Sequence, residues 1–196
     1  MKRKPVRIEP LEKTFDATTY LGDFQRIIKG ADGHLACAVI ATALVEKALM
    51  SLLARFLRQC PETDNMFGVN GELESFSKCT RMAYCLGLIS EPIKKNLETL
   101  GRVRNRFAHN DRILDFNDSI IAEWCRTGLK LPAESPPSLP KEAWAEVQKQ
   151  FNPGKDPAGH FIAICLLLFL TLIALASVVE PVKEAICPVF GWRAPS

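Results

Sequence analysis

From Phe161 to Val179 only Thr171 and Ser177 interrupt nineteen residues of apolar side chains, and no Lys, Arg, Asp or Glu stands between Asp156 and Glu180. A helix of that length is close to 30 Å long at ~1.5 Å per residue, about one hydrocarbon thickness. A helix that is apolar on every side must be buried somewhere. Two environments satisfy this: lipid, or the centre of a bundle closed by its own helices and by a second subunit. The flanking charges, Lys155 on one side and Lys183 on the other, do not orient a span.

The rest of the composition is that of a globular chain. The 196 residues are 47% hydrophobic and 24% charged, enough apolar material for one sizeable core, and one domain is expected. Lys plus Arg at 25 against Asp plus Glu at 22 gives a formal charge of +3, too small for a dedicated phosphate-binding surface. The seven cysteines include no CxxC pair and mostly fall inside apolar stretches, which predicts reduced, buried thiols in a cytosolic protein. His34 and His160 each have a single cysteine nearby, Cys37 and Cys165, so neither a metal nor any other cofactor is expected. There is no Walker loop, dinucleotide fingerprint, Gly-x-Ser-x-Gly or His-Glu-x-x-His, which excludes the enzymes built on them.

Along the chain, residues 1–30 form a polar N-terminal arm with Lys2, Arg3, Lys4 and Arg7, and 31–196 a single helical domain. Ala38, Thr42, Val45, Leu49, Leu52 and Phe56 recur at spacings of three and four and predict a first long helix over Asp32–Gln59. Pro61 and Asp64-Asn65 are expected to stop it and open a loop through Gly68 and Gly71. A second helix carries Leu73, Phe76, Thr80, Ala83, Tyr84 and Leu88. Ser90-Glu-Pro is a helix start, and the third helix runs to about Ala108 with Ile93, Leu97, Leu100, Val103 and Phe107 on one face. Asn117 or Asp118 caps a fourth helix bearing Ile120, Ile121 and Trp124. A proline-rich link over 131–140, a short helix over Lys141–Gln150 and a turn at Asn152-Pro-Gly lead to the apolar C-terminal helix, 158–180. The sum is an all-α bundle of five or six helices. Trp124 and Trp144 are expected as core or interface anchors.

The chemistry-bearing stretch is Leu100-Gly-Arg-Val-Arg-Asn-Arg-Phe-Ala-His-Asn110. An Arg and a His brought together can cleave a phosphodiester without metal: the guanidinium stabilises the pentacovalent phosphate and the imidazole moves the 2′-hydroxyl proton. Arg104 and His109 would be that catalytic pair, with Asn105 as a positioning group. The structural alternative has His109 capping the last helix carbonyls and Arg104 paired with a carboxylate on a neighbouring helix, Glu46 being the candidate. Glu46, Arg104, Asn105 and His109 would then form a polar cluster, with the hydroxyl of a mostly buried Tyr84 in reach. Arg104→Ala would cost about 3 kcal/mol or more if it orphaned a buried carboxylate.

Arg104-Asn-Arg-Phe-Ala-His109 resembles the Arg-x4-His motif of HEPN domains, helical modules that in some families are metal-independent RNases acting as dimers. Three further stretches, Leu44–Leu53, Gly71–Ile89 with its Leu86-Gly-Leu-Ile end, and Asp115–Cys125, resemble in this order the mannitol operon repressor family, MtlR and its YggD relatives. The likeness spans about residues 32–126. It implies an all-helical, HEPN-like or MtlR-like fold and a cytoplasmic transcriptional regulator, a repressor working through protein contacts. The absence of a basic recognition helix agrees, because Arg102, Arg104 and Arg106 point in different directions, and direct sequence-specific DNA binding is not expected. The expected partners are a second copy of the chain, as a homodimer, and a regulatory protein. A HEPN-type endoribonuclease that binds RNA is the alternative. Where the family has an amphipathic last helix this chain has 161–179, so a single-span, membrane-anchored helical protein is a further alternative.

Overall fold

The computed structural model describes residues 33–109, 114–130 and 156–183, and every described regular element is a helix. They are α1 (Gly33–Phe56), α2 (Pro61–Met66), α3 (Phe76–Cys85), α4 (Glu91–Ala108), α5 (Ser119–Gly128) and α6 (Pro157–Val178). The all-α bundle is therefore as expected. The N-terminal arm, the proline-rich link, the helix expected over 141–150 with Trp144, and the Asn152-Pro-Gly turn lie outside the described residues.

The apolar C-terminal helix is the core helix of the bundle. Phe161, Ile164, Cys165 and Leu172 are fully buried, and α6 packs most extensively on α1, with α4 and α5 also against it. The two long helices run side by side in the same direction. At their starts Phe116 bridges His34 of α1 and Phe161 of α6, with ring centroids 5.5 and 5.2 Å away. Beyond their ends the Val182 N–H donates to the Phe56 carbonyl at 2.8 Å. Phe107, at the end of α4, joins the same aromatic cluster 5.0 Å from Phe116, so α4 runs antiparallel to α1.

Because α3, α4 and α6 all pack on α1, its burial spreads beyond the stripe that its spacing predicts. Ala38, Thr42, Val45, Leu49 and Leu52 are buried as expected, and so are Ala41, Ala48, Ser51, Leu53 and Ala54. Phe56, expected on that stripe, is only half-buried. By length and composition α1 joins α6 as a helix able to cross a membrane.

Between α1 and α3 the structure departs from the expected open loop. Pro61 starts a helix instead of only ending one: its ring occupies the first helical position, where the missing N–H costs nothing. The chain then doubles back, with the Leu73 N–H donating to the Met66 carbonyl at 2.8 Å. Gly71 is required there, since a Cβ would lie 2.2 Å from the Met66 carbonyl oxygen. The Leu-Gly-Leu-Ile segment is a helix stop. Gly87 is left-handed at φ +71°, its N–H donates to the Tyr84 carbonyl at 3.0 Å, and the Leu88 N–H donates to that of Ala83 at 2.9 Å. This Schellman arrangement closes α3, and only a residue without a Cβ adopts its pivot freely.

Ser90 precedes α4 as expected, although its side chain makes no capping bond. Asp118 is the cap of α5, accepting from the Ile120 and Ile121 N–H groups at 3.2 Å each. Gly128 lets α5 approach α4 closely, because a Cβ there would meet the Thr99 side chain at 2.8 Å. Asn96 on α4 then pins the chain after α5 with a two-pronged contact: its amide donates to the Lys130 carbonyl at 2.9 Å and accepts from the Lys130 N–H at 2.8 Å.

Candidate functional site

α4 buries Leu97, Leu100, Val103 and Phe107 against the bundle, and this fixes where its three arginines go. Arg102 donates to the Thr99 hydroxyl at 2.9 Å and lies over the half-buried Trp124 ring at 5.6 Å. Arg106 reaches across to α5 and holds both Asp118 carboxylate oxygens, at 3.1 and 3.3 Å. That bond, with the Ile120 and Ile121 N–H groups, holds the Asp118 carboxyl below the usual carboxylate range. Arg104 is different. Half-buried, it has no hydrogen bond and no ion pair within 4 Å among the described residues.

Arg104 faces Glu46 at longer range. Burial on α1 pushes the Glu46 carboxyl up, while the Arg104 charge and the Phe76 N–H at the start of α3 pull it back. The same carboxylate acts on Cys79 of α3, whose thiol is pushed up to about 12 by burial and by the Glu46 charge. The Cys79 thiol donates to the Leu73 carbonyl at 3.2 Å. The structure thus brings Glu46 and Arg104 to one place, where α1, α3 and α4 meet, without the close ion pair expected of them.

The other members of the expected cluster diverge. Five residues at about 100° each leave Arg104 and His109 roughly 140° apart around the helix axis. His109 is the exposed C-cap of α4, its backbone N–H donating to the Asn105 carbonyl at 3.0 Å. Tyr84 is not mostly buried: it is 39% exposed, and its ring carries Lys94 at 5.3 Å. Tyr84 is the penultimate residue of α3, and its ring is taken by Lys94 at the start of α4, nearly three turns from Arg104.

What Arg104 and Asn105 share is a cleft of about 650 Å³ between α3 and α4. Ser75, Phe76, Ser77 and Thr80 line it from α3; Leu97, Glu98, Gly101, Arg102, Arg104 and Asn105 line it from α4. The spacings of one, three and four on each helix put these residues on facing sides. Gly101 leaves the middle open, and a Cβ there would stand 3.4 Å from the Phe76 ring. His109 is not among the lining residues.

Two buried polar residues carry no sequence signal. Asn96 bonds a backbone segment thirty-four residues away, a distance that no local pattern encodes. His160, 2% exposed on α6, contacts the Leu129 carbonyl through Nε2 at 3.1 Å, while Nδ1 has no hydrogen-bond partner among the described residues. Burial holds its imidazole below the ordinary histidine range. Of the described cysteines, Cys79, Cys125 and Cys165 are buried as expected, Cys37 and Cys60 half-buried, and Cys85 exposed.

No family model matches the chain, and no curated protein matches it by sequence. Its fold does have solved counterparts. A chain in the X-ray structure of the MtlR–HPr complex from Escherichia coli superposes with a TM-score of 0.54 at 17% identity, covering 82% of this chain and 99% of that one. This chain has an MtlR/YggD-like fold. The crystal structure of a possible transcriptional regulator YggD from Shigella flexneri 2a gives a TM-score of 0.55 at 11% identity, covering 84% and 99%. At such identities the likeness is one of fold. It runs well beyond residues 32–126, the stretch over which it is expected from the sequence.

Proposed function

We propose that this chain is a cytoplasmic regulatory protein that acts by binding another protein and does not read DNA through a helix. The observation that carries this reading is the fold, shared over most of the chain with MtlR, solved in complex with HPr, and with a possible transcriptional regulator. The surface of α4 supports it. A groove-reading helix presents its cations on one side, whereas Arg102, Arg104 and Arg106 are directed to Trp124, the α3–α4 cleft and Asp118 respectively. Burial of α6 against α1, α4 and α5 supports a soluble bundle over a tethered one.

The protein purified without detergent is expected to run as a monodisperse homodimer by size exclusion with light scattering, and to bind the HPr of its own cell saturably by calorimetry. Absence of binding would remove HPr as the partner; aggregation without detergent would favour the membrane-anchored alternative.

The ribonuclease reading keeps one favourable observation: Arg104 and Asn105 border an open cleft, and His109 is exposed on the same helix. Because Arg104 and His109 diverge within one chain, a catalytic pair would need the second subunit to supply one of them. Labelled single-stranded RNA incubated with wild type and with an Arg104→Ala/His109→Ala double mutant separates the readings. Cleavage by wild type alone would make the chain an RNase, and intact RNA in both would leave the regulatory reading standing.

A further inference from the structure

The cleft between α3 and α4 is a binding site for a phosphate-bearing small molecule, we infer, with Arg104 as its principal anchor. The inference is independent of the regulatory reading, since it concerns the free protein and no partner.

Three observations converge on it. First, Arg104 alone of the three α4 arginines has a guanidinium without a hydrogen bond or close ion pair among the described residues, and it borders the cleft. Arg104 is half-buried as a residue, and the planar fork of donors of a guanidinium suits the oxygens of a phosphate. Second, the remaining polar groups around it suit the same ligand. Asn105 has an exposed amide one residue on, and the Ser77 hydroxyl stands opposite, in the first turn of α3. Arg102 borders the same wall, with its guanidinium turned to Thr99 and Trp124, which leaves Arg104 as the cleft's anchoring charge. Third, the acids nearby do not use up this charge. Glu98, the one carboxylate among the described residues of the cleft wall, is held by Lys94 at 2.8 Å, and Glu46 lies outside the cleft, beyond ion-pair distance of Arg104. About 650 Å³ is also far more room than a bare phosphate fills, and Gly101 and Phe76 give the cleft an uncharged middle for an organic moiety. A small phosphate monoester fits that division into an anionic end and a neutral body.

The test is thermal unfolding and calorimetry of the full chain with inorganic phosphate, glycerol 3-phosphate and 5′-AMP, each against sodium chloride of equal ionic strength. At a hundredfold excess over Kd the bound ester should raise Tm by about 5 °C or more. Arg104→Gln should weaken binding at least tenfold, as expected for loss of charge-assisted bonds. Ser77→Glu is the decisive variant. A carboxylate in the first turn of α3 favours the helix, so the protein stays folded, while its charge repels the ligand and binding is lost. Equal affinity for phosphate and both esters would assign the whole recognition to the phosphoryl group and support the site. If none of the three raises Tm above the salt control, or if Ser77→Glu and Arg104→Gln bind as wild type does, the inference is overturned.

Discussion

Arg104→Ala measures what that side chain does for the fold. A contact ion pair buried with Glu46 would cost about 3–5 kcal/mol to break, because the remaining carboxylate would be left without compensation. The observed geometry predicts much less. The charges are farther apart than the 4 Å of an ion pair, Glu46 is only half-buried, and Arg104 borders an open cleft. Unit charges 4 Å apart interact by about 4 kcal/mol at an effective dielectric of ~20 and about 1 kcal/mol in water. Greater separation and solvent on one side place this pair near the lower value, so Arg104→Ala should cost about 1 kcal/mol. Urea unfolding of wild type, Arg104→Ala, Glu46→Gln and the double mutant gives both the cost and the coupling, which should also be about 1 kcal/mol. The acid limb provides a second check. Burial raises the native Glu46 carboxyl above its ordinary 4.5, so between 4.5 and that higher value the native state holds more proton than the unfolded chain. Its contribution therefore falls as pH rises through this window, and Glu46→Gln should remove that slope. A loss of about 3 kcal/mol or more on Arg104→Ala would refute the reasoning and restore Arg104 as a structural brace.

Asp118→Ala removes the cap of α5 together with a partly exposed ion pair and should cost about 2 kcal/mol, a Tm drop of roughly 4–8 °C. Asp118→Asn keeps the cap and should recover more than half of that; equal losses from the two variants would mean that the charge, not the cap, carries the effect. His160 stays neutral in the fold while the unfolded chain takes up a proton near 6.5, so stability is full above that pH and declines as pH falls through 6.5 toward the lower native value. Melting curves between pH 7.5 and 5.5 should show the decline, and His160→Gln, which keeps a donor for the Leu129 carbonyl, should flatten it.

The helices of the bundle were legible where burial follows a local period. The stripe of α4 from Leu97 to Phe107, the Asp118 cap and the need to bury 161–179 were all written in neighbouring residues. Less was legible where one residue type supports two local structures. Pro61 reads equally as the stop of one helix and the first residue of the next, and the short α2 was missed for that reason. Tyr84 matched the apolar period of its helix, but the turn into α4 places Lys94 over its ring instead of a core beneath it. At the site the limit was direction. Arg104 and His109 look adjacent along the chain, yet the 3.6-residue turn sends them to different sides, and of the expected polar cluster only Arg104 and Asn105 line the cleft. Asn96 and His160 act on backbone thirty-four and thirty-one residues away, and no spacing could have announced them.

Two helices among the described residues are long and apolar enough to cross a membrane, and they are each other's main packing partner. That pairing bears on the choice between a core helix and an anchor. An anchor is dispensable to the domain that it tethers, so removing it should leave that domain folded. Here α6 supplies Phe161, Ile164, Leu168, Leu172 and Ile173 to the common core, each no more than 3% exposed. At about 2 kcal/mol apiece these side chains represent roughly 10 kcal/mol, as much as the whole stability of an ordinary domain. Their loss would also uncover the buried face of α1. A chain ending at residue 155 should therefore fail to give a cooperative melt and should bind a hydrophobic dye, whereas a cooperative transition from that fragment would mean that α6 is an appendage and that its apolar surface belongs in lipid.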